Sequence, residues 1–374
     1  MKVALVADCH VASHKRLGGD RVASLNERCR RTLNVFTRAV ERSLELDCAA
    51  FVVLGDLLDS QRPEPQILAA IQTALAPAKA AGMSVYLLVG NHDQVSDQPG
   101  DHALGPLAPF ATIVDRPTIV RLEGRGSPAL SLLGLVPFRT GTADAWLPET
   151  LQDFNARAGS TKARRLLGVH LGVRDSTTAP WLKTSTDAID VEVLAAAARD
   201  AGFGSVAAGN WHNRRSWTVD GVEVLQVGAL VPTGWDNPNV APYGSDPYGT
   251  LGVWEDGAFS HEVLPGPRFV LTDAAGLSEA VRWAEQAGHT LYAQVKAPPE
   301  SLAAAVAALE ASGVAGEVVV DGKAVEAKAR EAAEAASSSK TVEAALAAYL
   351  DRFPLEPGVS KEALDEAVRG YLAR

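Results

Sequence analysis

Short apolar runs alternate with helix-like stretches over the first quarter of the chain. The apolar runs cover residues 3–7, 51–54 and 85–89, and each has the length of a buried strand. The stretches between them, over residues 25–46 and 66–80, are longer and repeat apolar side chains at helical spacing. This alternation predicts a layered α/β domain whose ligands gather where the strands end.

Each of five apolar runs ends next to a residue of a type that binds metal ions or transfers protons. Two further runs, over residues 166–169 and 205–208, repeat the pattern of the first three. The residues that follow the five runs are Asp8 and His10, Asp56, Asn91 and His92, His170, and Asn210 and His212. Since strand ends in such a sheet share one edge, we expect these side chains to meet.

The second half of the chain predicts a domain boundary near Pro265. A strand-like run over residues 250–254 closes the first unit, and Pro265-Gly266-Pro267 follows it. From Arg268 the pattern indicates strand, helix, strand, helix and strand, which predicts a small separate α/β unit. We therefore predict a first domain over residues 1–265, a small α/β domain over 266–330, and a linker with C-terminal helices over 331–374.

The last forty or so residues predict two short amphipathic helices. Ser337-Ser338-Ser339 is typical of a linker. Beyond it, apolar side chains from Val342 to Phe353 fall on one helical face, and a second such face runs from Leu364 to Leu372. Helices this short need something to pack on, either a partner protein or their own domain.

Composition and charge exclude several classes of protein. Of the 374 residues, 47% are hydrophobic and 21% charged, which excludes a disordered or collagen-like protein. The net charge of -10 counts against nucleic-acid binding through overall charge, so any polyanion site must be local. Three cysteines predict neither a disulfide framework nor a zinc knuckle. We expect a cytoplasmic protein without membrane contact, because Asp8 interrupts the initial apolar run and no membrane-length run occurs.

The residue types at the strand ends suit a pair of cations. Asp8 and His10 are two positions apart, so their side chains leave an extended strand on the same face, as two ligands of one cation require. A carboxylate such as Asp56 can bridge two cations, and Asn91 offers a neutral oxygen. Any one of these residues alone is more typical of a turn, a helix cap or a packed side chain. Their ordered recurrence predicts a metal site.

Several neighbouring residues have two interpretations. Asp93 either caps a helix or orients the His92 imidazole. The basic pairs near the metal-type motifs either hold flanking phosphates or are solvated loop charges. These pairs are Lys15 with Arg16, and Arg214 with Arg215.

The ordered motifs resemble those of the calcineurin-like metallophosphoesterases. They are Asp8-Cys9-His10, Gly55-Asp56, Gly90-Asn91-His92-Asp93, His170 and Gly209-Asn210-Trp211-His212. The resemblance covers roughly the first 265 residues and implies a layered β-sandwich flanked by helices. It also implies two divalent metal ions, with Asp8, His10 and His212 on one, Asn91, His170 and residue 210 on the other, and Asp56 on both. His92 would protonate or stabilise the leaving oxygen.

One position departs from the family pattern. The family has Gly-His-x-His in its last motif, and here Asn210 replaces the first of those histidines. A carboxamide oxygen can still coordinate manganese or magnesium, so the departure predicts weaker occupancy of the second metal rather than its loss.

Three features are similar to the SbcD-type DNA repair nucleases. They are the long basic loop and helix after His10, the Gln226-Val227-Gly228-Ala229-Leu230 segment, and the unit opened by Pro267-Arg268-Phe269. This resemblance implies a manganese-dependent DNA nuclease, with magnesium as the alternative, that has a catalytic domain, a capping domain and C-terminal helices docked on an SbcC-type SMC-like ATPase. Homodimerisation through the early helices is an expectation from the family alone. The alternatives are a phosphoesterase for small molecules or proteins, and a weakly catalytic DNA-binding or assembly subunit.

Overall fold

The structure is a computed structural model. The residues that it describes are 1–123, 130–158, 164–180, 182–241, 243 and 246–321. The predicted linker at residues 337–339 and the predicted C-terminal helices lie outside the described residues.

The described chain is a mixture of helices and strands. The helices are α1 (Glu27–Glu45), α2 (Pro65–Ala80), α3 (Ala143–Ala158), α4 (Val191–Asp200), α5 (Leu277–Ala287) and α6 (Leu302–Ser312), with short 3₁₀ helices at Gly105–Leu107 and Pro299–Ser301. The strands are β1 (Lys2–Val6), β2 (Arg21–Val22), β3 (Leu25–Asn26), β4 (Ala50–Val53), β5 (Ser84–Leu88), β6 (Thr112–Val114), β7 (Thr118–Glu123), β8 (Leu130–Val136), β9 (Arg164–His170), β10 (Gly172–Arg174), β11 (Ala188–Asp190), β12 (Ser205–Gly209), β13 (Arg215–Val219), β14 (Val222–Gln226), β15 (Thr250–Glu255), β16 (Ala258–Val263), β17 (Pro267–Thr272), β18 (Thr290–Ala297) and β19 (Ala315–Val320).

Two six-stranded sheets form the body of the first 265 residues. The strand order is β16-β15-β1-β4-β5-β6 in the first sheet and β13-β14-β12-β9-β8-β7 in the second. One buried cluster joins them, with Leu5, Leu54 and Trp254 from the first sheet and Leu135 and Ala207 from the second. Each such large apolar side chain contributes about 1.5–3 kcal/mol when fully buried. The predicted sandwich is therefore confirmed.

Helices cover the outer faces of the sandwich. The helices α1 and α2 bury Phe36 and Ile71 in a cluster with Phe51 of β4, and the Phe36 and Phe51 rings meet edge to face at 5.9 Å. The helices α3 and α4 bury Phe154 and Leu194 in a cluster with strands of the second sheet. These layers complete the α/β fold that the alternation of apolar runs and helical stretches predicts.

The candidate ligands lie at the carboxyl ends of parallel neighbours. In the first sheet β1 pairs in parallel with β4, and β4 with β5; in the second, β9 pairs in parallel with β12. The chain turns sharply after these strands, because Asp8, His10, Asp56 and Asn210 all have positive φ angles, from 44° to 87°. Such backbone costs an L-residue about 1–3 kcal/mol, and it persists where surrounding contacts hold it.

Contacts divide the chain into two compact units. Of the described residues, the first comprises those within Met1–Leu271, Ser278–Ala293 and Val314–Gly316, and the second comprises Thr272–Leu277, Gln294–Gly313 and Glu317–Asp321. In the first unit the buried Arg268 guanidinium donates to Asp246 Oδ2 at 2.6 Å. The predicted domain boundaries at residues 265 and 330 stay predictions. No helix within the described ranges is long and apolar enough to cross a membrane.

Candidate metal centre

Three groups of possible ligand atoms lie where the strands of both sheets end, and one of them joins His10, Asp59 and His92. The ligand atoms of Asp8, His10 and His212 lie within 4.8 Å of one another. Those of Asp8, Asp56 and His170 do the same, so these two groups share Asp8. These residues follow β1, β4, β9 and β12, and the fold therefore brings together side chains that are far apart in the sequence, 202 positions for His10 and His212.

Asp56 lies between the two groups. Its Oδ2 atom is 3.8 Å from His10 Nε2 and 3.4 Å from His170 Nε2. Asn91 Oδ1 is 2.9 Å from the same His170 nitrogen. The resemblance to the family assigns Asp56 to both metals, and its position between the two imidazoles suits that role, which stays a prediction.

Contacts on the far side of each imidazole orient two of the histidines. His170 Nδ1 lies 2.6 Å from the Leu54 carbonyl oxygen, and His212 Nδ1 lies 2.6 Å from Asn237 Oδ1. Since both partners accept hydrogen bonds, each Nδ1 donates, and each Nε2 faces the cluster. Metal-binding histidines in proteins are held in this way, with the second nitrogen bonded to an oxygen acceptor.

The electrostatics of the cluster call for a cation. Burial, with the charge of Asp56 adding to it, raises the pKa of Asp8 to about 6. Burial would also raise the pKa of Asp56, but His170 and His10 hold it well below its usual range. His10 Nε2 and His212 Nε2 face each other at 3.1 Å, and burial lowers the pKa of His212, which favours the neutral form that binds metals.

The donor set fits divalent cations. Carboxylates, imidazoles and a carboxamide oxygen are ligands that manganese and related metals accept, and the carboxylates and imidazoles lie close enough together to share a cation. Asp8, His10 and His212 would hold one cation; Asp56, Asn91 and His170 would hold the other. The fit rests on the chemistry of this donor set, in which the buried carboxylates of Asp8 and Asp56 meet three imidazoles.

His92 is exposed at the edge of this cluster. Its backbone N–H donates to Asp56 Oδ1 at 2.9 Å, and its ring meets the His10 ring edge to face at 4.8 Å. The ring nitrogen Nδ1 is 3.3 Å from the carbonyl oxygen of Asp59. The backbone contact fixes where the residue stands, and its exposed ring is free to meet a substrate.

Asp93 joins two loops of the site. Its Oδ1 accepts the N–H of Leu58 and its Oδ2 accepts the N–H of Gly90, each at 2.9 Å. Burial and the nearby Asp56 raise its pKa to about 7. These contacts tie the turn after β5 to the turn after β4, which holds Asn91 and Asp56 in place. The predicted role of Asp93 in orienting the His92 ring stays a prediction.

Asn210 contacts the cluster through its backbone. Its N–H donates to both carboxylate oxygens of Asp8, at 3.0 Å each. Its side-chain Nδ2 donates to the carbonyl oxygen of Asp187 at 3.2 Å and to Asp187 Oδ2 at 3.1 Å. The carboxamide is therefore held by Asp187 through its nitrogen, and its role as a metal ligand stays a prediction.

A family match covers the segment that carries most of these residues. Residues 1–178 match the family model of the calcineurin-like phosphoesterases. This segment, 178 of the 374 residues, is similar to a calcineurin-like phosphoesterase domain. Its family hydrolyses phosphoester bonds with divalent metals, and the matched segment contains the predicted ligands from Asp8 to His170.

Similar solved structures come from several organisms, and no curated protein sequence matches the chain significantly. The protein TT1561 of Thermus thermophilus is 11% identical, with 70% of this chain and 98% of that one covered and a TM-score of 0.45. A dimetal phosphatase from Danio rerio is 15% identical over 61% and 87% of the two chains, with a TM-score of 0.39. A purple acid phosphatase from yellow lupin is 13% identical over 71% and 46%, with a TM-score of 0.36.

The predicted phosphate-binding residues have different surroundings. Lys15 and Arg16 are exposed. Arg214 donates to Thr250 Oγ1 at 2.9 Å and to the Asp246 carbonyl oxygen at 3.1 Å. Arg215 forms an ion pair with Asp175 at 2.6 Å. The second pair is thus held by contacts within the chain, and the phosphate-binding role of all four residues stays a prediction.

Three residues of the site carry no assignment from the sequence. Asp59 Oδ1 is 3.1 Å from His10 Nδ1, Asn237 accepts from His212, and Asp187 holds Asn210. Asp59 follows Asp56 by three positions in Gly55-Asp56-Leu57-Leu58-Asp59, a spacing that offered a signal. Asn237 and Asp187 stand in irregular segments without such a signal, so only the folded chain brings them to the site.

Replacing Asn210 tests the second metal position. We expect Asn210→His to lower the manganese concentration at half-maximal rate by about 3–30-fold, because a neutral imidazole is a better ligand than a carboxamide already bonded to Asp187. The saturated rate should change little. A manganese titration of the hydrolysis rate measures both quantities, with binding of manganese followed separately by calorimetry.

The control for this experiment is Asp187→Asn, which removes the carboxylate opposite Asn210 while keeping its size. Coincident titrations of Asn210→His and the parent would contradict the assignment of residue 210 to the second metal. So would two tightly held metals in the parent protein.

Proposed function

We propose that the chain is a metal-dependent DNA nuclease that hydrolyses phosphodiester bonds, and that it is the nuclease subunit of an SbcCD-like complex. The observation that carries the proposal is the pair of ligand groups sharing Asp8, with the exposed His92 beside them. Two divalent cations, with manganese favoured, would supply an activated water and neutralise charge on the reacting phosphate.

The chain's own residues divide the remaining tasks. Asp56 accepts the His92 N–H and so sets the distance between the ligand cluster and the His92 ring. His92 supplies a proton to the leaving oxygen, a task that positioned imidazoles commonly perform in enzymes. Asp93 holds the two turns together through Leu58 and Gly90. Ordering these groups before the substrate arrives reduces the entropy cost of the reaction.

The surroundings of the cluster favour a polymer over a small phosphate ester. His92 is exposed, and the basic residues Lys15 and Arg16 follow the first motif and are also exposed. Since the chain carries a net charge of -10, a local basic surface at the metal centre is the means by which it would bind DNA. A small-molecule enzyme would instead enclose its substrate in a pocket.

A nuclease assay tests the proposal directly. The full chain is incubated with linear duplex and hairpin DNA in manganese, in magnesium or with a chelator, with and without an SbcC-type ATPase. We expect cleavage that requires the metal and increases with the ATPase. A parallel assay uses bis-p-nitrophenyl phosphate and p-nitrophenyl phosphate. Hydrolysis of the monoester without any DNA cleavage would favour the small-molecule or protein phosphoesterase instead.

Truncation tests the proposed partner. Because the apolar face from Val342 to Phe353 is too short to be a stable helix alone, we propose that it becomes ordered on the coiled-coil base of the ATPase. Removal of residues 341–374 should leave metal binding and diester hydrolysis intact and abolish co-purification with the ATPase. The control replaces polar residues of the same segment that do not belong to the apolar face. Unchanged affinity of the truncated chain for the ATPase would contradict the docking proposal.

A further inference from the structure

A cavity of about 300 Å³ lies in the first unit next to the basic loop after β1. Its walls are formed by residues of that loop, by the start of α1, by the segment around residue 235 and by β17. The side chains that the argument uses are Lys15, Arg16, Arg28, Trp235 and Phe269. None of the proposed catalytic steps uses this cavity.

The lining of the cavity is positively charged. Lys15, Arg16 and Arg28 are cationic, and Asp236 is the one carboxylate among the lining residues that the structure describes. His14 also lines the cavity, and its Nδ1 is 3.9 Å from Asp59 Oδ2. Lys15 and Arg16 are exposed, which leaves their charged groups within reach of an anion. An anionic ligand therefore fits the cavity better than a neutral one.

Two aromatic rings and a buried arginine form its rigid part. The Arg28 guanidinium lies 4.8 Å over the Phe269 ring, and the Phe269 and Trp235 rings meet edge to face at 5.1 Å. The Arg16 guanidinium lies 5.9 Å over the Trp235 ring. Within the described part of the chain, the buried Trp235 Nε1 has no hydrogen-bond partner. An unpaired buried donor costs about 1–3 kcal/mol, which an acceptor on a ligand would recover.

The cavity is connected to the metal centre by a short series of hydrogen bonds. Arg28 donates to the carbonyl oxygen of Thr233, and the Thr233 hydroxyl donates to Asn237 Oδ1 at 2.7 Å. The same Asn237 oxygen accepts from His212 Nδ1 at 2.6 Å. One wall of the cavity thus also orients the predicted metal ligand His212. Two residues, Thr233 and Asn237, connect Arg28 of the cavity to that histidine.

We propose that this cavity is a subsite for a second phosphate group of the substrate strand, one that flanks the bond to be cleaved. Lys15 and Arg16 bind the phosphate, the Trp235 N–H gives it a hydrogen bond, and Arg28 holds the wall through Thr233. The inference rests on the proposed function, since only a polynucleotide carries a flanking phosphate at a fixed distance from the reacting one. It adds Trp235 to the substrate contacts and makes Arg28 a positioning residue.

Binding of DNA without divalent metal tests the subsite separately from catalysis. The full chain is titrated in EDTA with a fluorescein-labelled single-stranded oligonucleotide, and anisotropy is measured at several salt concentrations. We expect the Lys15→Gln/Arg16→Gln double variant to bind about 10–100-fold more weakly and to lower the salt slope by about 0.7 for each lost phosphate contact. Trp235→Phe keeps the ring and should weaken binding about 3–10-fold.

Arg38→Gln is the matched control. Arg38 lies on α1, as Arg28 does, and it pairs with Glu45 on the exposed surface, away from the cavity lining. The Arg38→Gln variant should bind the oligonucleotide with the same affinity as the parent. Tryptophan fluorescence gives a second readout, because a change on DNA binding that disappears in Trp235→Phe places the strand at this ring.

Two outcomes would overturn the inference. One is unchanged affinity and salt slope in the Lys15→Gln/Arg16→Gln variant, which would leave the nuclease proposal standing if the parent still cleaves DNA. The other is a Trp235 response to inorganic phosphate with no response to the oligonucleotide. That result would make the cavity a site for a free phosphate, and failure of the parent to cleave DNA would then contradict the proposed function itself.

Discussion

Asp56→Ala should lose its bound metals and at least about 10³-fold in hydrolysis rate, the equivalent of about 4 kcal/mol of transition-state stabilisation. The Asp56 carboxylate is buried, lies between His10 and His170, and accepts the His92 N–H. Its removal therefore takes a ligand from both predicted metal positions and frees the turn that carries His92. Metal content after gel filtration measures the loss of metal, and the rate of diester hydrolysis measures the loss of activity.

Asp56→Asn and Asp153→Ala are the controls for this experiment. The asparagine keeps the acceptor for the His92 N–H but removes the charge, so it should keep the fold and still lose most of the metal. Asp153 is an exposed carboxylate on α3, and its replacement should change neither quantity. Metal content or activity equal to the parent in Asp56→Ala would remove Asp56 from the metal site.

The part of the fold that follows from local patterns could be predicted. The helical stretch over residues 25–46 becomes α1 at Glu27–Glu45, and the run over 85–89 becomes β5 at Ser84–Leu88. Side chains after these strands meet because parallel neighbours place their carboxyl ends at one edge. No knowledge of loop conformation is needed for that step, which is why the convergence of Asp8, Asp56 and His170 was predictable.

Elements whose apolar and polar residues follow no clear period could not be predicted in this way. The helix α3 contains Pro148, a residue that normally argues against a helix interior, and polar residues dilute its apolar face. The strands β7 and β8 form an antiparallel pair at one side of the second sheet, with β7 as the edge strand. Both depend on the second sheet, which exists only once distant segments have paired.

Side-chain partners inside the site also depend on tertiary structure. Asp93 follows His92 in the sequence, yet its carboxylate accepts the N–H groups of Leu58 and Gly90. Arg215 follows the last motif and pairs with Asp175. Adjacency along the chain indicates which loop a residue belongs to, but the direction of its side chain is set by the loop that packs against it. The loop to which each site residue belongs was therefore predictable from the sequence, and the side-chain contacts were not.

His92→Ala should keep its metals and lose about 10²–10⁴-fold in rate, the usual contribution of a positioned proton donor. The exposed His92 ring lies beside the cluster, and its backbone N–H, which Asp56 accepts, is unchanged in the variant. The metal positions are therefore preserved while the proton source is removed. Metal content and single-turnover cleavage of duplex DNA separate the two quantities.

The leaving group distinguishes proton donation from a structural effect. With bis-p-nitrophenyl phosphate the leaving oxygen is weakly basic and needs little protonation, so the deficit of His92→Ala should shrink to about tenfold or less. His261→Ala, which changes an exposed histidine of β16, should behave as the parent on both substrates. An equal loss of rate for His92→Ala on DNA and on the activated diester would show that the ring positions the substrate rather than supplying a proton. Loss of bound metal in the same variant would show that His92 is a metal ligand.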